Sequence, residues 1–173
     1  PQADEQFLWI QETETLFTHD FEAGLEGSKF HTISSGVISS EQVPGIGKFL
    51  DLQYYRQVVA INPLDLRNGG VFKFSIKFIG EPNAAEDNTF SIRYWNNNQE
   101  STIATFRVSR SFSNQWQTFA FTLPEGARRE VTHLVFNHSG GQNYQNRFGL
   151  DNLEVKRFIP EAPAAPISVV AKS

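Results

Sequence analysis

Residues 71–78 read Val-Phe-Lys-Phe-Ser-Ile-Lys-Phe, and this alternation constrains the fold more than any other feature of the chain. Phe72, Phe74, Ile76 and Phe78 fall on one side of an extended segment, and Lys73, Ser75 and Lys77 on the other. Successive side chains of a strand point to opposite faces, so this is a strand with one buried and one solvated side. A helical period would scatter the same phenylalanines around the axis.

The pattern recurs in Phe90-Ser91-Ile92-Arg93-Tyr94-Trp95, in Ala104-Thr105-Phe106-Arg107-Val108, and where Phe119, Phe121 and Leu123 alternate with Thr118, Ala120 and Thr122. His133-Leu134-Val135-Phe136-Asn137 and Asn152-Leu153-Glu154-Val155 complete the series. Turn-forming runs separate these segments, among them Arg67-Asn68-Gly69-Gly70 and Pro124-Glu125-Gly126. No segment carries a helical stripe, and no internal repeat is visible. Strands at this spacing predict an all-β fold, an antiparallel β-sandwich of the jelly-roll type. The 173 residues suit one domain, and the 16 phenylalanines suit its core. The expected layout is a lead-in over 1–13, a jelly-roll binding module over 14–159, and a Pro/Ala-rich linker or the start of a following domain over 160–173.

Composition narrows the chemistry. The net charge of −4 gives no general attraction to nucleic acid. The absence of cysteine removes disulfides, thiolate zinc sites and thiol nucleophiles together. The absence of methionine predicts a fragment or a processed form, and the Pro/Ala-rich stretch over 160–173 predicts covalently linked neighbouring domains in a larger parent protein. No apolar run approaches the ~18 residues a membrane span needs, so none is predicted. The four histidines, His19, His31, His133 and His138, show no H-E-x-x-H spacing. A G-x-S-x-G elbow and a phosphate-cradling glycine loop are also missing. A non-catalytic role is therefore expected.

Two motifs carry a family resemblance. The opening Asp20-Phe21-Glu22-Ala23-Gly24 and the closing Leu150-Asp151-Asn152-Leu153-Glu154-Val155 resemble the galactose-binding-like jelly rolls, a group with many carbohydrate-binding modules and the sub-repeats of reelin. Residues 56–70, and Trp116-Gln117 leading to Leu123-Pro124-Glu125-Gly126-Ala127, are similar to the reelin-type pattern, so the likeness covers about residues 14–158. It implies first and last strands lying side by side, with a structural calcium ion between their ends. The implied ligands are Glu22, Asp20, Asp151 and the backbone of Gly47-Lys48. Solvated or hydrogen-bonded acids at strand ends are the alternative reading.

Sugar recognition calls for flat aromatic faces with a few placed polar groups. The expected carbohydrate-binding residues are Trp95, Arg93, Tyr55, Tyr144 and Lys73. Trp95 shares a strand face with Ser91 and Arg93; Lys73, Ser75 and Lys77 form a similar polar face, and Arg107 another. If these strands are neighbours they make a basic surface suited to an acidic polysaccharide; the alternative is an ordinary solvated face, with Trp95 capping the edge of the core. The expected function is a carbohydrate-binding module of a secreted or surface protein, acting on a polysaccharide or other glycan. A protein-interaction or spacer module is the alternative, and a small polysaccharide-active enzyme the third.

Overall fold

The computed structural model describes residues 11–25, 29–34, 36–52, 57–80, 89–107, 115–139 and 147–160. Eleven strands run through them: β1 (Thr13–His19), β2 (Phe30–Ile33), β3 (Val37–Glu41), β4 (Gly47–Leu52), β5 (Gln57–Ile61), β6 (Gly70–Ile79), β7 (Thr89–Asn96), β8 (Gln99–Arg107), β9 (Gln117–Thr122), β10 (His133–Ser139) and β11 (Arg147–Phe158). They form two antiparallel sheets. The six-stranded sheet has the order β3-β4-β11-β6-β9, with β1 also on β11, and the five-stranded sheet has the order β2-β5-β10-β7-β8. Among the described residues no helix is long and apolar enough to cross a membrane.

The alternation seen in the sequence sets the two inner faces. Phe72, Phe74, Ile76 and Phe78 of β6 and Phe148, Leu150, Leu153 and Val155 of β11 meet Phe90 and Ile92 of β7 and Leu134 and Phe136 of β10 in one cluster. Rings from opposite sheets interlock, Phe72 with Phe136 at 5.0 Å between centroids and Phe90 with Phe148 at 4.9 Å. Such offset and edge-on pairs add to the burial of apolar area that drives the sheets together. His138 also points inward. It is 0 % exposed, packs edge-on against Phe148, and neither ring nitrogen has a side-chain partner. Burial lowers its pKa to about 4, so it stays neutral in the core.

β11 is the hinge of the topology. β6 pairs with it along nearly its whole length, from Arg147 to Arg157. Its other edge is shared: β4 pairs with Phe148–Leu150 and β1 with Leu153–Phe158. Asp151 and Asn152 fall between the two partners. The first and last strands do lie side by side, and the changeover from β4 to β1 leaves a notch in the edge of β11.

Candidate functional site

Three local features build the notch. Asn152 has φ of +51° and Phe21 has φ of +58°, and no other described non-glycine residue is in the left-handed region. Such strain persists only where the surroundings hold it, and it gathers at functional sites. A bulge in the β11–β6 register, between Asp151 and Glu154, marks the same place. Bulges re-aim side chains and are common beside sites.

The turn after β1 is held by its own side chains. His19 is buried, and its Nδ1 accepts the Phe21 N–H at 3.1 Å. Asp20 Oδ1 accepts the Glu22 N–H at 3.1 Å, and the Phe21 carbonyl accepts the Gly24 N–H at 3.0 Å. The positive φ turns Phe21 into the core, where it is 0 % exposed, and leaves Asp20 and Glu22 facing the notch. Glu22 then reaches the start of β4. Its Oε1 accepts the Lys48 N–H at 2.6 Å, and the Lys48 ammonium donates to the Glu22 carbonyl at 3.1 Å. Asn152 donates from Nδ2 to the Gly45 carbonyl at 2.9 Å. The loops after β1 and before β4 are thus tied to the last strand. Together Asp20, Glu22, Val43, Gly45, Ile46, Gly47 and Asn152 line a cavity of about 410 Å³.

Asp151, the residue before Asn152 on β11, is 0 % exposed, and no side chain pairs with its carboxylate. Burial pushes its carboxyl up to about 7; the charges of Glu22 and Asp20 push the same way, and the Asn152 N–H only partly offsets them. A buried, unpaired carboxylate beside two more acids is costly unless something positive neutralises it. Among the described residues no three acidic or histidine side chains form a ready-made metal cluster, so any ion here needs backbone carbonyls as well. The contacts of Lys48 are both donors to Glu22, so they hold the glutamate in place.

A second concavity adjoins the notch on the outer face of the six-stranded sheet. It encloses about 570 Å³ and includes Asp20, Lys29, Lys73, Ser75, Thr118, Asn152 and Glu154 in its lining. Lys73 is here, exposed and opposite Glu154 in the β6–β11 register.

Arg93 and Trp95 are on the other sheet. The single basic surface expected from Lys73, Ser75, Lys77, Arg93 and Arg107 does not form, because β6 belongs to the six-stranded sheet and β7 and β8 to the five-stranded one. Lys77 is further occupied by an ion pair with Glu41, which also accepts the Trp116 indole N–H at 2.7 Å. Trp116 sits just before β9 and packs edge-on against Phe49. The side chain of Arg107, together with Tyr55 and Tyr144, lies outside the described residues.

Trp95 does face away from the core, with Ser91 and Arg93. It is partly exposed and stands opposite His133 in the β7–β10 register. Its ring centroid is 6.3 Å from that of His133, and His133 is 4.6 Å from His31 of β2. His133 Nδ1 is 3.1 Å from the Ile61 carbonyl; donating there leaves Nε2 as an acceptor in the neutral ring. Arg93 forms an ion pair with Glu100 across the β7–β8 pair. Sequence reasoning missed His133 and Glu100 as neighbours of Trp95, and His31 as the neighbour of His133, since only the fold brings them together.

The architecture matches solved structures. The K3 cleaved adhesin domain of Lys-gingipain from Porphyromonas gingivalis superposes with a TM-score of 0.63 at 15 % identity, over 84 % of this chain and 99 % of that one. The K1 adhesin domain of the same protein gives 0.61 at 16 %, over 83 % and 98 %. The CBM22-1 xylan-binding domain of Xyn10C from Paenibacillus barcinonensis gives 0.53 at 14 %, over 88 % and 99 %. This chain has the β-sandwich jelly-roll fold of these domains. At such identities the likeness establishes the fold and nothing finer. No family model and no curated protein sequence matches the chain.

Proposed function

We propose that this chain is a non-catalytic carbohydrate-binding module of a larger secreted or cell-surface protein, and that a structural calcium ion closes the notch at Asp151. The observation that carries the binding reading is the row of Trp95, His133 and His31 on the outer face of the five-stranded sheet, flanked by Arg93 and Glu100. The centroid separations of 6.3 and 4.6 Å bound the row at about 11 Å, which is room for a short oligosaccharide. The rings offer flat faces, and the imidazole, guanidinium and carboxylate offer partners for sugar hydroxyls. The xylan-binding domain among the structural neighbours supports a glycan as the ligand class.

The oxygens around the notch are of the type calcium takes, although among the described residues no three acidic or histidine side chains gather into a metal-holding group. They are the carboxylates of Asp151, Glu22 and Asp20, with carbonyls of the loop leading into Gly47-Lys48. Calcium takes six to eight such hard ligands in flexible geometry. When bound, the ion would supply the positive charge that lets buried Asp151 ionise. Its role would be structural, joining the turn after β1, the loop before β4 and the last strand.

A protein-interaction module is the second reading, favoured by the two adhesin domains among the neighbours. A glycan array followed by affinity electrophoresis in polysaccharide gels separates the two. Retardation by a polysaccharide without its turnover supports the first. Failure to bind any glycan, with tight binding of a protein, supports the second.

A further inference from the structure

The bond between His133 and Ile61 decides which nitrogen of the imidazole changes character with pH. A backbone carbonyl only accepts, so Nδ1 donates to Ile61 in the neutral and in the charged ring. Nε2 is then an acceptor when the ring is neutral and a donor when it is charged. His31 stands beside this ring, with centroids 4.6 Å apart, and Trp95 is 6.3 Å from it. Resting on the carbohydrate-binding reading above, we propose that His133 and His31 make the Trp95 face a pH-dependent selector. Neutral glycans bind it at neutral and at mildly acidic pH, and glycans carrying a carboxylate or sulfate gain affinity as the imidazoles take up protons.

The selection follows from hydrogen-bond polarity. A sugar hydroxyl both donates and accepts, so it can serve Nε2 in either state. A carboxylate or sulfate oxygen only accepts. Against the neutral ring it meets a lone pair. Against the charged ring it accepts a charge-assisted hydrogen bond, roughly twice as strong as a neutral one. Histidine is the side chain whose charge ordinarily changes between pH 5 and 8, and carboxyl groups on sugars are ionised across that range.

The rest of the face leaves this choice to the histidines. From β7, Arg93 and Trp95 face the imidazoles, and from β8 Glu100, opposite Trp95. Arg93 is committed to Glu100 by their ion pair, so the two charges cancel. From β5, which runs between β2 and β10, Val58 and Ala60 point to this side, and from β10 Val135 does; none of them titrates. Lys29, just before β2, lines the cleft on the other sheet. Among the described residues the row therefore carries no net charge while both rings are neutral, and a proton on either ring makes it cationic. His31 is exposed and His133 half-buried, so solvent protons and a ligand reach them.

The test is isothermal titration of the whole chain at pH 7.5 and pH 5.5 with a glucuronic-acid-bearing oligosaccharide and with a sulfated one. Each is compared with its carboxyl-reduced or desulfated counterpart, and the quantity read is the ratio of acidic to neutral affinity. The ratio should rise at least tenfold from pH 7.5 to pH 5.5 for one or both acidic ligands. Titrations at pH 6.5 in buffers of different ionisation enthalpy should show net proton uptake with the acidic ligand and none with its neutral counterpart. His133→Gln should flatten the ratio across pH, and His31→Gln should reduce its rise. Reading a ratio within each variant separates lost charge from lost affinity, and circular dichroism at both pH values checks the fold. Proton uptake by the parent decides the matter if a variant binds too weakly to measure. A ratio independent of pH, binding of the acidic ligand without proton uptake, or a rise that survives His133→Gln overturns the selector. A full rise in His31→Gln overturns the part given to that ring. Neutral binding retained in any of these cases leaves the Trp95 reading standing, and binding of no glycan at all overturns both.

Discussion

Glu22 and Lys48 are joined at both ends: the glutamate side chain accepts the lysine backbone N–H at 2.6 Å, and the lysine ammonium returns to the glutamate carbonyl at 3.1 Å. The pair is separated by 26 residues and lashes the end of β1 to the start of β4. Gly47 makes this contact feasible. Its φ is +61°, and a Cβ at that position would strike the Glu22 carboxylate. Gly47→Ala therefore adds backbone strain of about 1–2 kcal/mol and displaces Glu22. The expected outcome in thermal denaturation is a melting temperature lower by roughly 3–8 °C, with a weaker response to calcium. An unchanged melting temperature contradicts the described contact.

Asp151 makes the response to calcium depend on pH. Its pKa in the metal-free fold is raised to about 7 from an ordinary value near 3.8. The stability it contributes is therefore full below about 3.8 and is lost as pH rises through 7. Calcium reverses this, since it binds the ionised form and competes with the proton. The difference in melting temperature with and without calcium should grow from pH 5 to pH 8, reaching on the order of 5–10 °C when the ion is at about 100 times its dissociation constant. Asp151→Asn should flatten the difference and leave the metal-free protein at pH 8 as stable as the parent or more so. A calcium response equal at both pH values, or retained in Asp151→Asn, contradicts the assignment.

His138 governs the acid side. Its folded pKa is lowered to about 4 from 6.5 by burial, so the unfolded chain binds the proton first. Stability from this group is present above about 6.5 and is lost as pH falls toward 4, by about 3 kcal/mol in all. Denaturant titrations in saturating calcium, where Asp151 stays ionised, should show this loss. His138→Leu should remove most of it. An identical acid profile for the two proteins would mean that the ring is solvated in the fold.

The sequence legibly carried the strands and their burial, because period-two alternation is a local property: Phe72, Phe74, Ile76 and Phe78 face inward as read. The resemblance also anticipated β1 beside β11. What it did not carry is pairing order. Lys73 and Arg93 look alike on paper, each on the solvated side of a strand, yet β6 and β7 belong to different sheets. The basic surface fails first for that reason, and Lys77 and Arg93 are in addition paired with Glu41 and Glu100. The same gap hid His133 beside Trp95 and His31 beside His133. The positive φ of Phe21 had no local signal either, whereas asparagine tolerates that region and Asn152 offered a weak one; the hydrogen bonds of His19, Asp20 and Asn152 hold both turns.

Trp95 bears the central claim, that the outer face of the five-stranded sheet binds glycan. The direct measurement is affinity electrophoresis of the chain and of Trp95→Ala through gels containing the polysaccharide selected on the array, with melting temperatures compared in parallel. Loss of the indole should weaken binding at least tenfold, about 1.4 kcal/mol, and leave the melting temperature within a few degrees. Equal retardation of the two proteins would contradict the account.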